Sequence, residues 1–171
     1  MTLIVKATTT HAQLLAQIGE TSWVEAHGGS APAEDIENYV SRQYTEGVIL
    51  TELQNPVNLY HLIYYDDRPA GYSNIKLNAP NPNIAAQNVA ELDRLYLLRE
   101  FYNRKLGLEL LQFNIELAKL NAQVGIWLYV WKGNDRALAF YQRAGFKITG
   151  SHDFKISDSH FNPNHEMFLM L

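Results

Sequence analysis

The most regular pattern of apolar residues in the chain lies between Leu106 and Leu120. Five apolar residues there recur at steps of four and three, which places them on one face of a helix. Further apolar residues widen this face, so the segment predicts an amphipathic helix that packs on a core. The five residues are Leu106, Leu110, Phe113, Leu117 and Leu120.

Three shorter segments also have helical features. One lies near the N-terminus, and another begins at Pro32, a residue favoured in the first turn of a helix. A third, "GNDRALAFYQRAG", ends at Gly145, because glycine commonly stands just past a helix C-terminus. The apolar positions are Leu14, Leu15 and Ile18 in the first segment and Ile36, Tyr39, Val40 and Tyr44 in the second.

Strand patterns occupy much of the remaining chain. Residues 2–7 predict a first strand, and "NLYHLIYY", "DDRPAG" and "YSNIKL" predict a hairpin. "AELDRLYLL" alternates between the two sides of a strand. Later in the chain, "IWLYVW" is apolar on both faces, which is typical of a central strand. "FKITGSHDF" and "HEMFLML" predict two closing strands. In "AELDRLYLL" the alternation places Leu92, Tyr96 and Leu98 on one side and Leu95 and Leu97 on the other.

The order of these elements predicts the fold class. Strand, helix, strand, helix, strand in the C-terminal half indicates a crossover connection. We therefore predict an α/β (α+β) fold with a mixed, largely antiparallel sheet of about six or seven strands and about four flanking helices. The chain of 171 residues fits one domain, 1–171.

Composition narrows the function classes. Hydrophobic residues make up 47% of the chain and charged residues 19%, and the formal net charge is −4, which argues against binding nucleic acid through bulk positive charge. The chain has no cysteine, which excludes disulfides, thiolate metal sites and a cysteine nucleophile. No apolar run approaches a membrane span, and the N-terminus lacks the features of a signal peptide. A cytoplasmic protein with no membrane partner is expected.

The stretch "FYNRKLGLELL" could bind phosphate. Backbone N–H groups at the start of a helix that follows a strand form a natural seat for pyrophosphate. Gly107 would let phosphate oxygens approach the backbone, but Lys105 stands where such turns often have another glycine. The alternative is an ordinary surface turn with two exposed cations.

Two regions resemble a known family. "LLREFYNRKLGLELL" is similar to V-L-P-E-Y-Q-G-K-G-I-G-x-x-L-L, the pyrophosphate motif of the GCN5-related N-acetyltransferase (GNAT) superfamily, and "LYVWKGNDRALAFYQRAGFKITGSHDF" resembles its second conserved region. Within the superfamily the chain looks closest to the polyamine (spermidine/spermine) acetyltransferase-like branch. Tyr102, Asn103 and Lys105 stand where the family usually has Gln, Gly and Gly. The likeness covers residues 90–154 well and "EDIENYV" more loosely.

The resemblance implies a binding mode for acetyl-CoA, the acetyl donor. The middle strands would splay to admit it, and the backbone of Leu95, Tyr96 and Leu97 would contact the pantetheine arm. Asn134 would contact the donor near its thiol, with a plain helix N-cap as the alternative. Residues around the pyrophosphate would be Tyr102, Asn103, Arg104, Lys105, Leu106, Gly107 and Leu108.

The resemblance also implies catalytic residues. Tyr141 would protonate the leaving thiolate, although it could simply pack beside Phe140. Glu91 would be a general base, directly or through water, and a solvated strand end is an equal alternative. Asp93, two residues along, could help Glu91 to attract a cationic substrate.

Other candidates rest on position alone. Trp23, His27, Asp35 and Tyr39 fall where the first helices would form the acceptor pocket, with a core role as the alternative for Trp23 and Tyr39. The only candidate metal cluster has a spacing that matches no common zinc pattern, so no metal is expected. Its members are His152, His160 and His165.

The sequence thus predicts an acyltransferase that moves an acetyl group from acetyl-CoA to a primary amine. The acidic "EDIE" and "ELD" segments favour a small cationic amine such as a polyamine. A protein N-terminal or lysine acetyltransferase and a non-catalytic acyl-CoA-binding module are the alternatives. A homodimer could form if the C-terminal strand paired across a two-fold axis.

Overall fold

The architecture is a seven-stranded sheet with helices on both faces, and the computed structural model describes residues 1–171. The strands are β1 Thr2–Lys6, β2 Leu59–Tyr65, β3 Arg68–Lys76, β4 Val89–Leu97, β5 Gly125–Trp131, β6 Lys147–Lys155 and β7 Phe161–Met170. The helices are α1 Ala12–His27, α2 Ala33–Gln43, α3 Glu46–Gln54, α4 Leu106–Leu120 and α5 Asp135–Arg143.

The sheet is mixed and largely antiparallel, as predicted. Its strand order is β1-β2-β3-β4-β5-β7-β6, and only the β4–β5 pair is parallel. Helix α4 makes the crossover between these two strands. The tight turn of the predicted β2–β3 hairpin consists of Asp66 and Asp67, both with positive φ (47° and 60°), as a two-residue hairpin turn requires.

Helix α3 has no counterpart in the sequence-based prediction, which counted about four helices. Thr45 caps it, because its side-chain oxygen accepts a hydrogen bond from the Val48 N–H at 3.2 Å. Ile49, 1% exposed, anchors the helix in the core. No helix in the chain combines the length and apolar character that crossing a membrane would require.

A bulge in β4 changes which of its residues share a face. Asn74 of β3 pairs with Arg94 and Ile75 pairs with Leu92, so Asp93 is an extra residue in β4. An extra residue shifts the alternation of side chains by one. Leu92 therefore packs in the core beneath α4 and α5, whereas Tyr96 packs in the core beneath α1, α2 and α3. The prediction that Leu92 and Tyr96 share a face is wrong for this reason.

Strands β4 and β5 separate soon after they meet. Val89, Ala90 and Glu91 pair with β5, but the rest of β4 pairs only with β3. On the other side of the gap, β5 continues in register with β7 as far as Trp131. The predicted splay of the middle strands is therefore confirmed.

The C-terminal strand offers no free edge for a second copy. Strand β7 pairs with β5 on one side and with β6 on the other. The expectation that the C-terminal strand could pair across a two-fold axis is wrong, because the free edge of this half of the sheet belongs to β6.

Candidate functional site

A cavity of about 860 Å³ lies where β4 and β5 separate. Its walls include the end of α1, the start of α4 and the start of α5. Of the site residues predicted from sequence, Asp35 and Tyr39 do not line the cavity. Those that do are Trp23, His27, Glu91, Asp93, Leu95, Tyr96, Leu97, Tyr102, Asn103, Arg104, Lys105, Leu106, Gly107, Leu108, Asn134 and Tyr141.

The turn before α4 has the backbone shape of a glycine-rich turn. Asn103 and Lys105 have positive φ values of 64° and 63°, and these are two of the three positions at which the family motif has glycine; the third is Gly107. Asn adopts this left-handed conformation more readily than most residues, and Lys less so. The substitutions therefore change the side chains of the turn and retain its backbone course.

The start of α4 presents unpaired donors to the cavity. The first N–H groups with a helical partner belong to Leu108 and Glu109, and both donate to the Lys105 carbonyl oxygen. This leaves the N–H groups of Leu106 and Gly107 without a backbone partner. A Cβ built on Gly107 would meet only side-chain atoms of Leu97 and Phe140, at 3.5 Å and beyond. The fold itself therefore does not require glycine here, and the open space before the helix fits a bound phosphate.

Positive charge surrounds this end of the cavity. Arg104 and Lys105 come from the turn, while Arg136 and Arg143 of α5 also line the cavity. The Arg136 guanidinium lies 3.5 Å from the ring centroid of Tyr102. Arg136 and Arg143 were not predicted, and the only sequence signal for them was their place on the helix that follows Asn134.

Tyr141 combines a packing role with access to the cavity. It is 8% exposed, and its ring meets Phe140 and Phe146 edge-on at centroid distances of 5.1 Å and 5.4 Å. Its hydroxyl forms no hydrogen bond within the chain, and burial raises its pKa. Since Tyr141 also lines the cavity, it is a protonated donor with a free hydroxyl.

Asn134 begins α5. Its Oδ1 accepts a hydrogen bond from the Ala137 N–H at 3.1 Å, which is the N-cap arrangement. The amide also borders the cavity, so the cap does not exclude contact with a ligand.

Two carboxylates border the cavity at the base of the splay. Lys76 Nζ lies 3.4 Å from Glu91 Oε2 and 3.2 Å from Asp93 Oδ1. Asp93 also accepts from Asn74 Nδ2 at 3.1 Å. Burial raises the pKa of Glu91, the charge of Asp93 adds to this effect, and Lys76 opposes it.

The carboxylates continue into a chain of charges that leads to α3. Arg94 lies 3.7 Å from Asp93 through its Nε and donates to both carboxylate oxygens of Glu52, at 3.0 Å and 3.2 Å. Tyr60 donates to the same Glu52 carboxylate. This network holds the bulged part of β4 in place.

Aromatic side chains form the wall beneath α1. His27 stacks on Trp23 with centroids 4.7 Å apart, and burial lowers the pKa of His27 to about 4. Trp131 of β5 lies 6.0 Å from His27. Tyr39 contacts Trp23 at 4.6 Å from behind, so it supports the wall without lining the cavity.

Two of the three histidines in the candidate metal cluster contact residues outside it. His152 stacks on Tyr129 at 4.3 Å, and His160 Nε2 lies 2.8 Å from the Ser30 carbonyl oxygen. No group of three or more His, Asp or Glu side chains is arranged to hold a metal ion.

Comparison with known proteins agrees with this geometry. The profile of the Acetyltransferase (GNAT) family matches residues 20–146. The spermidine N(1)-acetyltransferase of Thermoplasma acidophilum is 30% identical over 151 residues, covering 83% of this chain and 87% of that protein. An N-acetyltransferase of Lactobacillus delbrueckii is 25% identical over 141 residues, covering 82% of each chain.

Solved structures show the same fold. The PaiA N-acetyltransferase of T. acidophilum, crystallised with coenzyme A, has a TM-score of 0.80 and 25% identity, covering 100% of this chain and 99% of that one. The ribosomal-protein-S18-alanine N-acetyltransferase of Escherichia coli has a TM-score of 0.72 at 16% identity, covering 99% and 94%, a likeness in fold alone. The chain belongs to the GNAT family of acetyltransferases. It is an acetyl-CoA-dependent N-acyltransferase, as the sequence predicted.

Proposed function

We propose that the protein transfers the acetyl group of acetyl-CoA to a primary amine of a small polycation, of the polyamine class. The observation that carries this proposal is the pair of carboxylates, Glu91 and Asp93, that borders the cavity at the base of the splay. Carboxylates next to a transfer site attract ammonium groups and can accept a proton from them. The similarity to a spermidine N(1)-acetyltransferase supports the same acceptor class.

The donor would bind with its pyrophosphate at the start of α4. The free N–H groups of Leu106 and Gly107 would hold the phosphate oxygens, and Arg104, Lys105 and Arg136 would balance their charge. The unpaired edge of β4 beyond Glu91 would bind the pantetheine arm through the backbone of Leu95, Tyr96 and Leu97, as an added strand does.

The transfer needs three proton movements. Glu91, directly or through water, would take a proton from the acceptor ammonium, and the neutral amine would then form the new C–N bond as the C–S bond of the thioester breaks. Tyr141 would donate its proton to the departing thiolate and regain one from the new amide nitrogen, so that one proton leaves to solvent. The raised pKa of Tyr141 suits this role because a thiolate in the same apolar surroundings is also more basic than in water.

An acceptor panel tests the proposal. Thiol release and acetyl-product mass should be measured with spermidine, diamines, monoamines of matched length and a peptide with a free N-terminus. We expect kcat/KM for spermidine to exceed that for a matched monoamine at least about ten-fold, the effect of roughly one charged interaction.

A pair of variants tests the role of the carboxylates. Asp93→Asn should reduce the preference for polycations, whereas Glu116→Gln, on the exposed side of α4, should leave it unchanged. A peptide as the best acceptor, or equal rates for monoamines and polyamines, would overturn the proposal.

Three expectations from the sequence stay predictions. They are a single domain over residues 1–171, a homodimer and a cytoplasmic location.

A further inference from the structure

Asn164 is a buried polar residue that the proposed chemistry does not use. It lies on β7 opposite Trp131 of β5, and it lines the cavity. The residue is 8% exposed and its Oδ1 has no hydrogen-bond partner. Its amide group makes no hydrogen bond anywhere in the chain. Because most buried side-chain amides are hydrogen-bonded, an orphaned one in a cavity wall points to a ligand.

The neighbouring Asn162 differs from Asn164 in having hydrogen-bond partners. Asn162 also lines the cavity, but its Nδ2 donates to Ser30 Oγ at 2.6 Å and its Oδ1 lies 3.1 Å from His160 Nε2. Both ends of the Asn162 amide are therefore occupied. Of the two amides on this strand face, only that of Asn164 is free to bind a ligand.

Aromatic rings surround the same corner of the cavity. Four of them line it, and we call Trp23, His27, Trp131 and Phe154 the aromatic wall. His27 joins Trp131 to Trp23 by ring contacts, and Tyr39 joins Trp23 to Phe154 from behind. Aromatic faces attract cations when water is excluded.

The charges of the corner suit a cation. His27 is neutral near pH 7, since burial holds its pKa at about 4, so it would not repel a positive ligand. Glu91 and Asp93 are both engaged by Lys76, so a polycation needs further contacts for its second charge. The side-chain carbonyl oxygen of Asn164, together with the aromatic wall, supplies such contacts without a carboxylate.

We propose that Asn164 and the aromatic wall form a second ammonium subsite, which binds the far ammonium group of a diamine or polyamine while its near amine is acetylated. This subsite rests on the proposed function and extends it. Asn164 Oδ1 would accept a hydrogen bond from the ammonium group, and the rings of Trp131 and Phe154 would enclose its methylene chain. Asn164 is thus a specificity-determining residue.

The position of the subsite predicts which acceptors fit. Glu91 pairs with Trp127 of β5 and Asn164 with Trp131. These two β5 residues are four positions apart, or about 13 Å along the strand. An acceptor that spans from the carboxylates to Asn164 must be extended. Long diamines and triamines should therefore be preferred to short diamines.

The test compares wild type with Asn164→Leu. Steady-state kinetics should be measured with diaminoalkanes of increasing length and with the monoamine of each length. For wild type, KM should fall with diamine length and show little such trend for monoamines. In Asn164→Leu, KM for long diamines should rise about ten-fold, as expected for a lost hydrogen bond to a charged group, and KM for monoamines should stay within about two-fold.

Stability supplies a second readout. Leucine removes an unpaired buried amide, so the melting temperature of Asn164→Leu should equal or exceed that of wild type. Asn164→Asp adds a negative charge at the subsite and should lower KM for long diamines. Asn38→Leu, the same change on the exposed side of α2, is the matched control and should alter neither KM series.

The outcomes separate the subsite from the proposed function. If wild type acetylates diamines but Asn164→Leu changes diamine and monoamine KM equally, the subsite is wrong and the proposed function survives. If wild type acetylates only a peptide, or no amine, both fall. A polyamine preference that persists unchanged in Asn164→Leu and Asn164→Asp would also overturn the subsite.

Discussion

The left-handed backbone at Lys105 leads to a stability prediction with an unusual sign. Lys105 has a φ of 63°, a region that costs a non-glycine residue about 1–2 kcal/mol because Cβ approaches the next carbonyl oxygen. Glycine avoids this cost but loses about 0.5–1 kcal/mol relative to Ala through its freedom in the unfolded chain. The Lys105→Gly protein should therefore be more stable than Lys105→Ala by about 0.5–1 kcal/mol.

The two variants form a matched pair because both remove the same exposed ammonium group. Urea unfolding measures the difference directly, and for a chain of this size 1 kcal/mol corresponds to about 2–4 °C in Tm. Glu109, exposed on the first turns of α4, is the control position. There alanine should be more stable than glycine, which is the usual order in a helix. Equal or greater stability of Lys105→Ala would refute the left-handed geometry of the turn.

Three further predictions concern proton transfer and pH. Tyr141→Phe should lower kcat about ten- to a thousand-fold and leave the affinity for acetyl-CoA nearly unchanged. Steady-state kinetics measure the first effect and calorimetry the second. A loss of affinity with normal turnover of the bound donor would contradict the acid role. The pKa of Glu91 is raised, and a general base must be ionised to act. The acid limb of the pH profile of kcat/KM should therefore lie above the usual glutamate range. Lys76→Met removes a charge that lowers this pKa and should move the acid limb to higher pH. A limb that is unchanged in Glu91→Gln would exclude Glu91 as the base. The pKa of His27 is about 4 in the folded chain, so His27 protonates more easily in the unfolded chain. The free energy of unfolding should therefore drop as pH falls from about 6.5 towards 4. The drop should be smaller in His27→Phe.

The sequence predicted most of the fold because its patterns are local. The apolar face of α4, the hairpin of β2 and β3 and the apolar run of β5 depend on residues close in the chain. Helix α3 was missed although Thr45 is a plain N-cap signal, because its apolar residues form a nearly continuous run without clear periodicity. The bulge at Asp93 was also missed, since it is defined only by the pairing of β4 with β3.

Site residues could be predicted where they belong to one contiguous motif. Residues that come together only through strand pairing could not. The turn before α4 and the pair Asn134 and Tyr141 belong to contiguous motifs. Asn164 and Trp131 meet only because β7 returns beside β5, and no spacing in the sequence reports that pairing. Asp35 was assigned by position on α2, and a helix position alone could not tell that its side chain would lie outside the cavity.

A calorimetric titration with acetyl-CoA tests whether the donor binds where α4 begins. Wild type should bind acetyl-CoA with micromolar affinity. It should bind 3′-dephospho-acetyl-CoA more weakly, and the Arg104→Ala variant should bind acetyl-CoA more weakly. In Gly107→Leu a side chain would fill the space that the fold leaves open, so affinity should drop at least about ten-fold, whereas Glu109→Leu on the exposed side of α4 should bind normally. No binding by wild type, or full binding by Gly107→Leu, would contradict the account.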